Sequence, residues 1–72
     1  METKRTIYVI ATKDTPRKYQ MSGSVFIEDI THAGYFFEKE NAQSHIDTML
    51  NTKEHFVLPV TLTYEYAEVE VI

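Results

Sequence analysis

In residues 56–66 the sequence runs FVLPVTLTYEY, and every even-numbered position carries an apolar or aromatic side chain. Successive side chains of a β-strand point to opposite faces, so a period of two predicts a strand with one face on a hydrophobic core. Pro59 has no backbone N–H and therefore has to lie at a strand start, a bulge or a sheet edge. These residues predict the last strand of a small antiparallel sheet.

The alternation continues beyond Tyr66 but shifts by one residue, so that Ala67, Val69 and Val71 become its apolar positions. A β-bulge produces this kind of change of face. Fully extended, residues 56–72 span roughly 55 Å, whereas a compact chain of this length has a radius of gyration of roughly 11 Å. We therefore expect the last residues to bend back, to form a second strand or to pair with another chain.

Residues 6–12 are rich in β-branched side chains and are apolar on both faces, with Ile7 and Val9 on one side and Tyr8 and Ile10 on the other. This pattern is typical of a strand that is covered on both faces. The sequence therefore predicts a central strand here.

Two short extended segments follow the central strand. Residues 13–17 contain Asp14 and Pro16, which favour a turn. Residues 18–21 then predict a strand that pairs back as a hairpin, and residues 25–27 predict a further short strand.

The helix of the domain is predicted at residues 39–51, where Ala42, Ile46, Met49 and Leu50 recur at helical spacing. In the connection before it, one helical turn is expected to close at a glycine in the left-handed conformation. That connection spans residues 28–34 and ends at Gly34. Phe36 or Phe37 is expected to pack on the first turn of the helix.

These patterns predict a single α+β domain over residues 1–72. It has a small antiparallel sheet of three to four strands with one helix packed on one face, in the order β-β-(β)-α-β. The predicted core consists of the apolar residues that the periodicities direct inwards: Ile7, Val9, Phe26, Phe36, Ala42, Ile46, Met49, Leu50, Phe56, Leu58, Val60 and Leu62.

The size and composition of the chain limit how it can be stabilised. Its 72 residues include no cysteine, so disulfides are excluded. Small domains otherwise rely on a metal or on self-association. The sequence has no apolar stretch near the roughly 20 residues that cross a bilayer, and its start does not resemble a signal peptide. We therefore expect a cytoplasmic protein.

The formal net charge of −4 is unevenly distributed. Residues 1–18 hold five basic and two acidic side chains, a net charge of +3, and residues 19–72 hold two basic and nine acidic side chains, a net charge of −7. Such asymmetry can steer partners or favour head-to-tail association, and it can also serve solubility alone.

Nucleic-acid binding is the alternative function that this charge distribution raises. Lys13, Arg17 and Lys18 cluster on the first hairpin beside Tyr19, and such a group can contact phosphates and stack on a base. The chain as a whole is acidic, whereas nucleic-acid-binding domains are usually basic.

No arrangement of catalytic or metal-binding residues is visible in the sequence. His32, His45 and His55 lie 13 and 10 residues apart, which matches no zinc motif, and we expect His45 and His55 to be surface residues. Ser44 is the sequence neighbour of His45, so the two side chains diverge on a helix. We therefore predict no catalytic residue, no cofactor and no metal, and a protein that is not an enzyme.

Protein interaction is the function that the sequence favours. A long apolar strand is a template for strand addition by a second copy or by another protein, and tyrosine is enriched at interfaces. The candidate interaction residues are Tyr64, Tyr66, Val69 and Val71, and a homodimer is the expected assembly.

The layout resembles that of small accessory proteins encoded by phages and prophages of Gram-positive bacteria. The positions that carry the resemblance are Tyr8-Val9-Ile10, Tyr19, Asp29-Ile30 with Ala33, Phe36, Ala42 with Ile46, and Phe56-Val57. The chain departs from that pattern at Glu38, where a small hydroxyl residue usually caps the helix, and in a C-terminal strand that runs past the usual end. The resemblance implies a protein of the host cytoplasm that acts by binding a host protein.

Overall fold

The computed structural model describes residues 2–65. The chain forms a four-stranded antiparallel sheet in the order β3-β2-β1-β4, with one α-helix packed on it, so the predicted α+β class is confirmed. The elements are β1 (Glu2–Thr12), β2 (Tyr19–Ser22), β3 (Val25–Ile27), a 3₁₀ turn (Ile30–His32), α1 (Lys39–Met49) and β4 (His55–Glu65).

The two long strands β1 and β4 pair with each other along their whole lengths. The register runs from Glu2 opposite Glu65 to Thr12 opposite His55. β1 thus begins four residues before the predicted start at residue 6, because β4 offers it hydrogen-bonding partners to the end. The expected bulge after Tyr66 falls outside the described residues, and up to Glu65 the alternating segment is a single strand.

β1 is covered on both faces, as its sequence predicts. Val9, Ile10 and Ala11 are all buried. The face that carries Tyr8 and Ile10 packs against α1, and we call it the helix face. The opposite face carries Ile7 and Val9 and is covered by the connection that contains the 3₁₀ turn. Ile10 was missing from the predicted core, because a strand that is apolar on both faces does not show which side the helix takes. Ala11, on the same face as Ile7 and Val9, is also buried and was not predicted.

β2 pairs with β1 only near the hairpin turn, where Tyr19 lies opposite Ala11. Farther along β1 its place is taken by Phe36, whose backbone exchanges hydrogen bonds of 2.9 and 2.8 Å with Tyr8. The ring of Phe36 contacts His45 on α1 at a centroid distance of 5.7 Å. Of the two phenylalanines expected against the helix, Phe36 is therefore the one that packs there, in the second turn.

Gly34 does not close a helical turn, contrary to the prediction. The 3₁₀ turn ends at Ala33 in an extended conformation, and the glycine with a positive φ is Gly23, at +52°. A Cβ on Gly34 would lie 2.5 Å from the carbonyl oxygen of Met21. Gly34 is therefore needed for the close approach of two backbones, which sequence spacing does not reveal.

The helix ends two residues earlier than predicted, and its packing differs at that end. Ala42 and Ile46 are fully buried, whereas Met49, its last residue, is 70% exposed at the mouth of an open cleft beside Leu50. Helical periodicity gives the direction of a side chain around the axis, but not how far the sheet extends beneath the helix end. The other predicted core residues are buried (Ile7, Val9) or half-buried (Phe26, Phe36, Leu50, Phe56, Leu58, Val60, Leu62).

Glu38 occupies the N-cap position of α1, and its side chain makes no capping hydrogen bond. Within residues 2–65, no helix has the length and apolar character needed to cross a membrane.

Candidate interaction surface

The backbone groups of β4 point alternately towards β1 and away from the domain. Tyr8 directs both its N–H and its C=O to Phe36, and the N–H of Thr12 points the same way, to Lys18. The backbone N–H and C=O groups of the even-numbered residues of β1 therefore point away from β4, and those of the odd-numbered residues form hydrogen bonds with β4. From the register, the odd-numbered residues of β4 direct their N–H and C=O groups away from β1. These groups form what we call the outer edge: His55, Val57, Pro59, Thr61, Thr63 and Glu65.

Pro59 lies on this outer edge, at the middle of β4 and opposite Tyr8. Its missing N–H would have pointed outwards, so the ladder with β1 loses no hydrogen bond. Of the three places expected for Pro59, a strand start, a bulge or a sheet edge, it occupies the edge. Proline on an edge strand blocks strand addition at that point, which leaves residues 61–65 as an uninterrupted part of the outer edge.

Residues 2–6 and 61–65 form a two-stranded extension, which we call the arm. β1 has no strand on its other edge beyond the Tyr8–Phe36 bridge among the residues that the structure describes. The molecule measures 53 × 25 × 18 Å, and its radius of gyration is 14.8 Å, well above the roughly 11 Å of a compact chain of this size. Two-stranded ribbons are marginally stable in water, so a further strand would stabilise the arm.

The face of the arm opposite the helix face carries aromatic side chains and one arginine. Tyr64 is 44% exposed, and Tyr35 and Phe37 meet edge to face at a centroid distance of 5.5 Å. The guanidinium of Arg5 lies 3.9 Å from the centre of the Phe37 ring. Arginine and tyrosine are the residue types that dominate binding energy at interfaces. Of the four predicted interaction residues, Tyr64 lies on this surface, and Tyr66, Val69 and Val71 lie outside the described residues.

An apolar cleft of about 320 Å³ lies on the same face, between the ribbon and the connection that contains the 3₁₀ turn. One of its sides is the edge strand β4. The lining residues are Ile7, Val9, Ile30, Thr31, Ala33, Tyr35, Val60, Thr61 and Leu62. The cleft was not predicted from the sequence, because its two walls come from segments that are about 30 residues apart in the chain.

The basic residues of the first hairpin and Arg5 lie at opposite ends of β1. Lys13, Arg17 and Lys18 are all exposed, and the guanidinium of Arg17 lies 4.9 Å from the centre of the Phe56 ring. Tyr19 is half-buried in the sheet. Arg5 lies seven residues away along β1, roughly 24 Å from the hairpin. The basic residues of the two ends therefore do not form one surface.

Two histidines expected at the surface are half-buried and contribute to packing. His45 lies 3.2 Å from the side-chain amide nitrogen of Gln20, so its Nε2 accepts a hydrogen bond in the neutral ring. His55 packs against Phe26 at a centroid distance of 5.3 Å. Their partners come from β2 and β3, which a helical or strand periodicity does not identify. No group of three or more potential metal-ligating side chains occurs in the part of the chain that the structure describes.

Asp29 caps the 3₁₀ turn that walls the cleft. Its carboxylate accepts hydrogen bonds from the Thr31 hydroxyl at 2.6 Å and from the Thr31 backbone N–H at 3.0 Å, and it lies 2.8 Å from His32 Nδ1. These donors, the Thr31 hydroxyl first, lower the pKa of Asp29 from 3.8 to about 2. All three side chains are exposed, so the interaction orders the turn without burying a charge.

We predict that the Asp29 carboxyl titrates near pH 2, which carbon-13 chemical shifts recorded against pH will show. A pKa that is lower in the folded state stabilises the turn fully above the unfolded value of 3.8 and less as the pH falls to about 2. In the Thr31→Val variant, which keeps the backbone donor but lacks the hydroxyl, the midpoint should rise towards 3.8. A wild-type midpoint already near 3.8 would show that the cap does not form in solution.

No family model, no curated protein and no solved structure matches this chain.

Proposed function

We propose that this protein is a protein-interaction module that self-associates by strand addition at the outer edge of β4. The observation that carries the proposal is the alternation of backbone directions along β4. The N–H and C=O groups of its odd-numbered residues Thr61, Thr63 and Glu65 point away from β1. These groups lie in a row with the spacing that an added antiparallel strand requires.

The marginal stability of the arm supports the proposal. Within residues 2–65, the sheet has four strands near the helix and two in the arm. An added strand would supply the third strand that a ribbon needs for independent stability. A domain of this size that lacks disulfides gains stability from association in the same way that others gain it from metals.

The side chains on the arm also support an interface. Tyr64 and Phe37 are exposed on one face, together with Arg5, and the apolar cleft adjoins them. A host protein, the partner that the resemblance to phage accessory proteins implies, would use the same edge. A second copy is the simpler partner, because it brings the complementary open strand.

We expect the purified protein to be a dimer at micromolar concentration in size-exclusion chromatography with light scattering. Amide exchange in the dimer should be slow at Leu62 and Tyr64, which bond to β1, and also at Thr61 and Thr63, which bond to the added strand. Dilution should release Thr61 and Thr63 and leave Leu62 and Tyr64 protected, so the even-numbered amides serve as the internal control.

A monomer at all concentrations, with fast exchange at Thr61 and Thr63, would contradict the proposal. A mobility-shift assay with DNA and RNA tests the competing function. Salt-sensitive binding that is lost when Lys13, Arg17 and Lys18 are replaced by alanine would favour the basic hairpin instead.

A further inference from the structure

We infer that two copies pair antiparallel through residues 61–65 of β4, with the two-fold axis at Thr63, so that the partner's Tyr64 lies beside Leu62 at the apolar cleft. This inference rests on the proposed self-association and adds its register and its contacts. The pairing joins the two sheets into one continuous sheet.

The position of Pro59 and the alternation of the backbone groups along the outer edge favour this register. With the axis at Thr63, Thr61 lies opposite the partner's Glu65, and residues 61 to 65 pair with one another without involving Pro59. A shift of the axis to Leu62 would place Pro59, which has no N–H, opposite the partner's Glu65.

The side chains are self-complementary about the same axis. Leu62 lies opposite the partner's Tyr64 on one face, and by symmetry Tyr64 lies opposite the partner's Leu62. An aromatic and an aliphatic side chain directly opposite each other stabilise adjacent strands. On the other face, the exposed Thr63 meets the partner's Thr63, and threonine pairs are favourable across strands. No like charges meet, because residues 61–64 are uncharged.

The cleft gives the partner's Tyr64 a place to pack. Val60 and Leu62 form the side of the cleft that belongs to the edge strand. The partner's Tyr64 is the direct neighbour of Leu62 and a diagonal neighbour of Val60, which is within reach of an aromatic ring. In this arrangement the ring covers the mouth of the cleft, facing Tyr35 on the opposite wall, and apolar surface of both copies leaves water.

Single cysteines introduced into this cysteine-free chain test the register. In Thr63→Cys the two cysteines face each other across the axis as a hydrogen-bonded pair, about 5.5 Å apart at Cα, which a disulfide spans. We expect mild oxidation to convert this variant almost completely into a covalent dimer. In the matched control Thr61→Cys, on the same edge and the same face, the two copies are about 14 Å apart and should remain uncrosslinked.

The other outcomes separate the register from the self-association. A disulfide in Thr61→Cys and not in Thr63→Cys would overturn the register and leave self-association intact. A dimer in solution with no disulfide in either variant would overturn the register. A monomer in light scattering would overturn both the register and the proposed function.

A second measurement does not depend on cysteine chemistry. Tyr64→Ala should raise the dissociation constant of the dimer at least about tenfold, because two symmetric aromatic contacts are lost. Met49→Ala removes an exposed apolar side chain that lies on α1, away from the arm, and should leave the dissociation constant unchanged. An equal effect of the two variants would contradict the proposed contact.

Discussion

Ile46→Ala is expected to lower the free energy of unfolding by about 2–5 kcal/mol, the range measured when a buried aliphatic side chain is truncated to alanine. Ile46 is fully buried on α1, beneath which Ile10 of β1 is also buried. The variant loses the transfer free energy of the removed carbon atoms and leaves a cavity, because the surrounding structure relaxes only partially into the space. Natural domains are stable by about 5–15 kcal/mol, and a chain of 72 residues buries less surface than most. A large fraction of Ile46→Ala should therefore be unfolded at physiological temperature.

Urea denaturation followed by circular dichroism measures this change, and Met49→Ala is the matched control. Met49 lies three residues after Ile46, on the same predicted apolar side of α1. From the sequence alone, the two substitutions are therefore expected to have equivalent effects. In the structure Met49 is 70% exposed, so its truncation should change the free energy of unfolding by less than about 0.5 kcal/mol. Comparable losses in the two variants would show that Met49 is buried in solution.

Gly34→Ala is expected to destabilise the protein by about 1–3 kcal/mol, the usual cost of forcing atoms into a filled site. The added Cβ would meet the carbonyl oxygen of Met21 at 2.5 Å. This neighbour is backbone, so it cannot rotate away as the end of a flexible side chain would. Movement of the strand would strain the hydrogen bond from the Gly34 N–H to Gln20, which is 3.0 Å long, and the nearby bridge between Phe36 and Tyr8.

A glycine can be needed because no space is left for a Cβ or because its backbone is left-handed. Replacing each of the two glycines by asparagine distinguishes these two reasons. Gly23 has a φ of +52°, and no atom lies within 4 Å of the position that a Cβ would occupy there. Asparagine tolerates this left-handed conformation, so Gly23→Asn should cost less than about 1 kcal/mol, whereas Gly34→Asn should be as destabilising as Gly34→Ala. Thermal unfolding of the three variants and the wild type makes the comparison. Equal stability of Gly34→Asn and wild type would contradict the close approach of Gly34 to β2.

The elements themselves were predicted well because their signals are local. The even-numbered apolar positions from Phe56 to Tyr64 identify β4, and the doubly apolar run before Thr12 identifies β1 as a central strand. The stripe of Ala42 and Ile46 identifies the buried side of α1. Each of these patterns follows from the geometry of one element, which repeats every two or every 3.6 residues whatever its neighbours are.

The candidate site was predicted only in part. Tyr64 belongs to the exposed surface of the arm, as its residue type and position indicate, but Arg5 and the aromatic pair of Tyr35 and Phe37 were not predicted to join it. They come together because β1 extends to Glu2 and because Phe36 replaces β2 beside Tyr8. Local periodicity reveals neither feature, because both depend on pairing between segments that are distant in sequence.

The sequence by itself determined that this protein has a small α+β fold, that β4 is long, and that Pro59 lies at a strand start, a bulge or an edge. Tertiary structure alone decided which backbone groups of β4 point away from β1, because this alternation follows from the register with β1 and from the hydrogen bonds between Tyr8 and Phe36. It also decided that Met49 is exposed, that His45 is bound to Gln20 and that Gly34 is needed for space. The physical reason is the same in each case: periodicity fixes the direction of a side chain within its own element, whereas burial and pairing depend on which other element lies there.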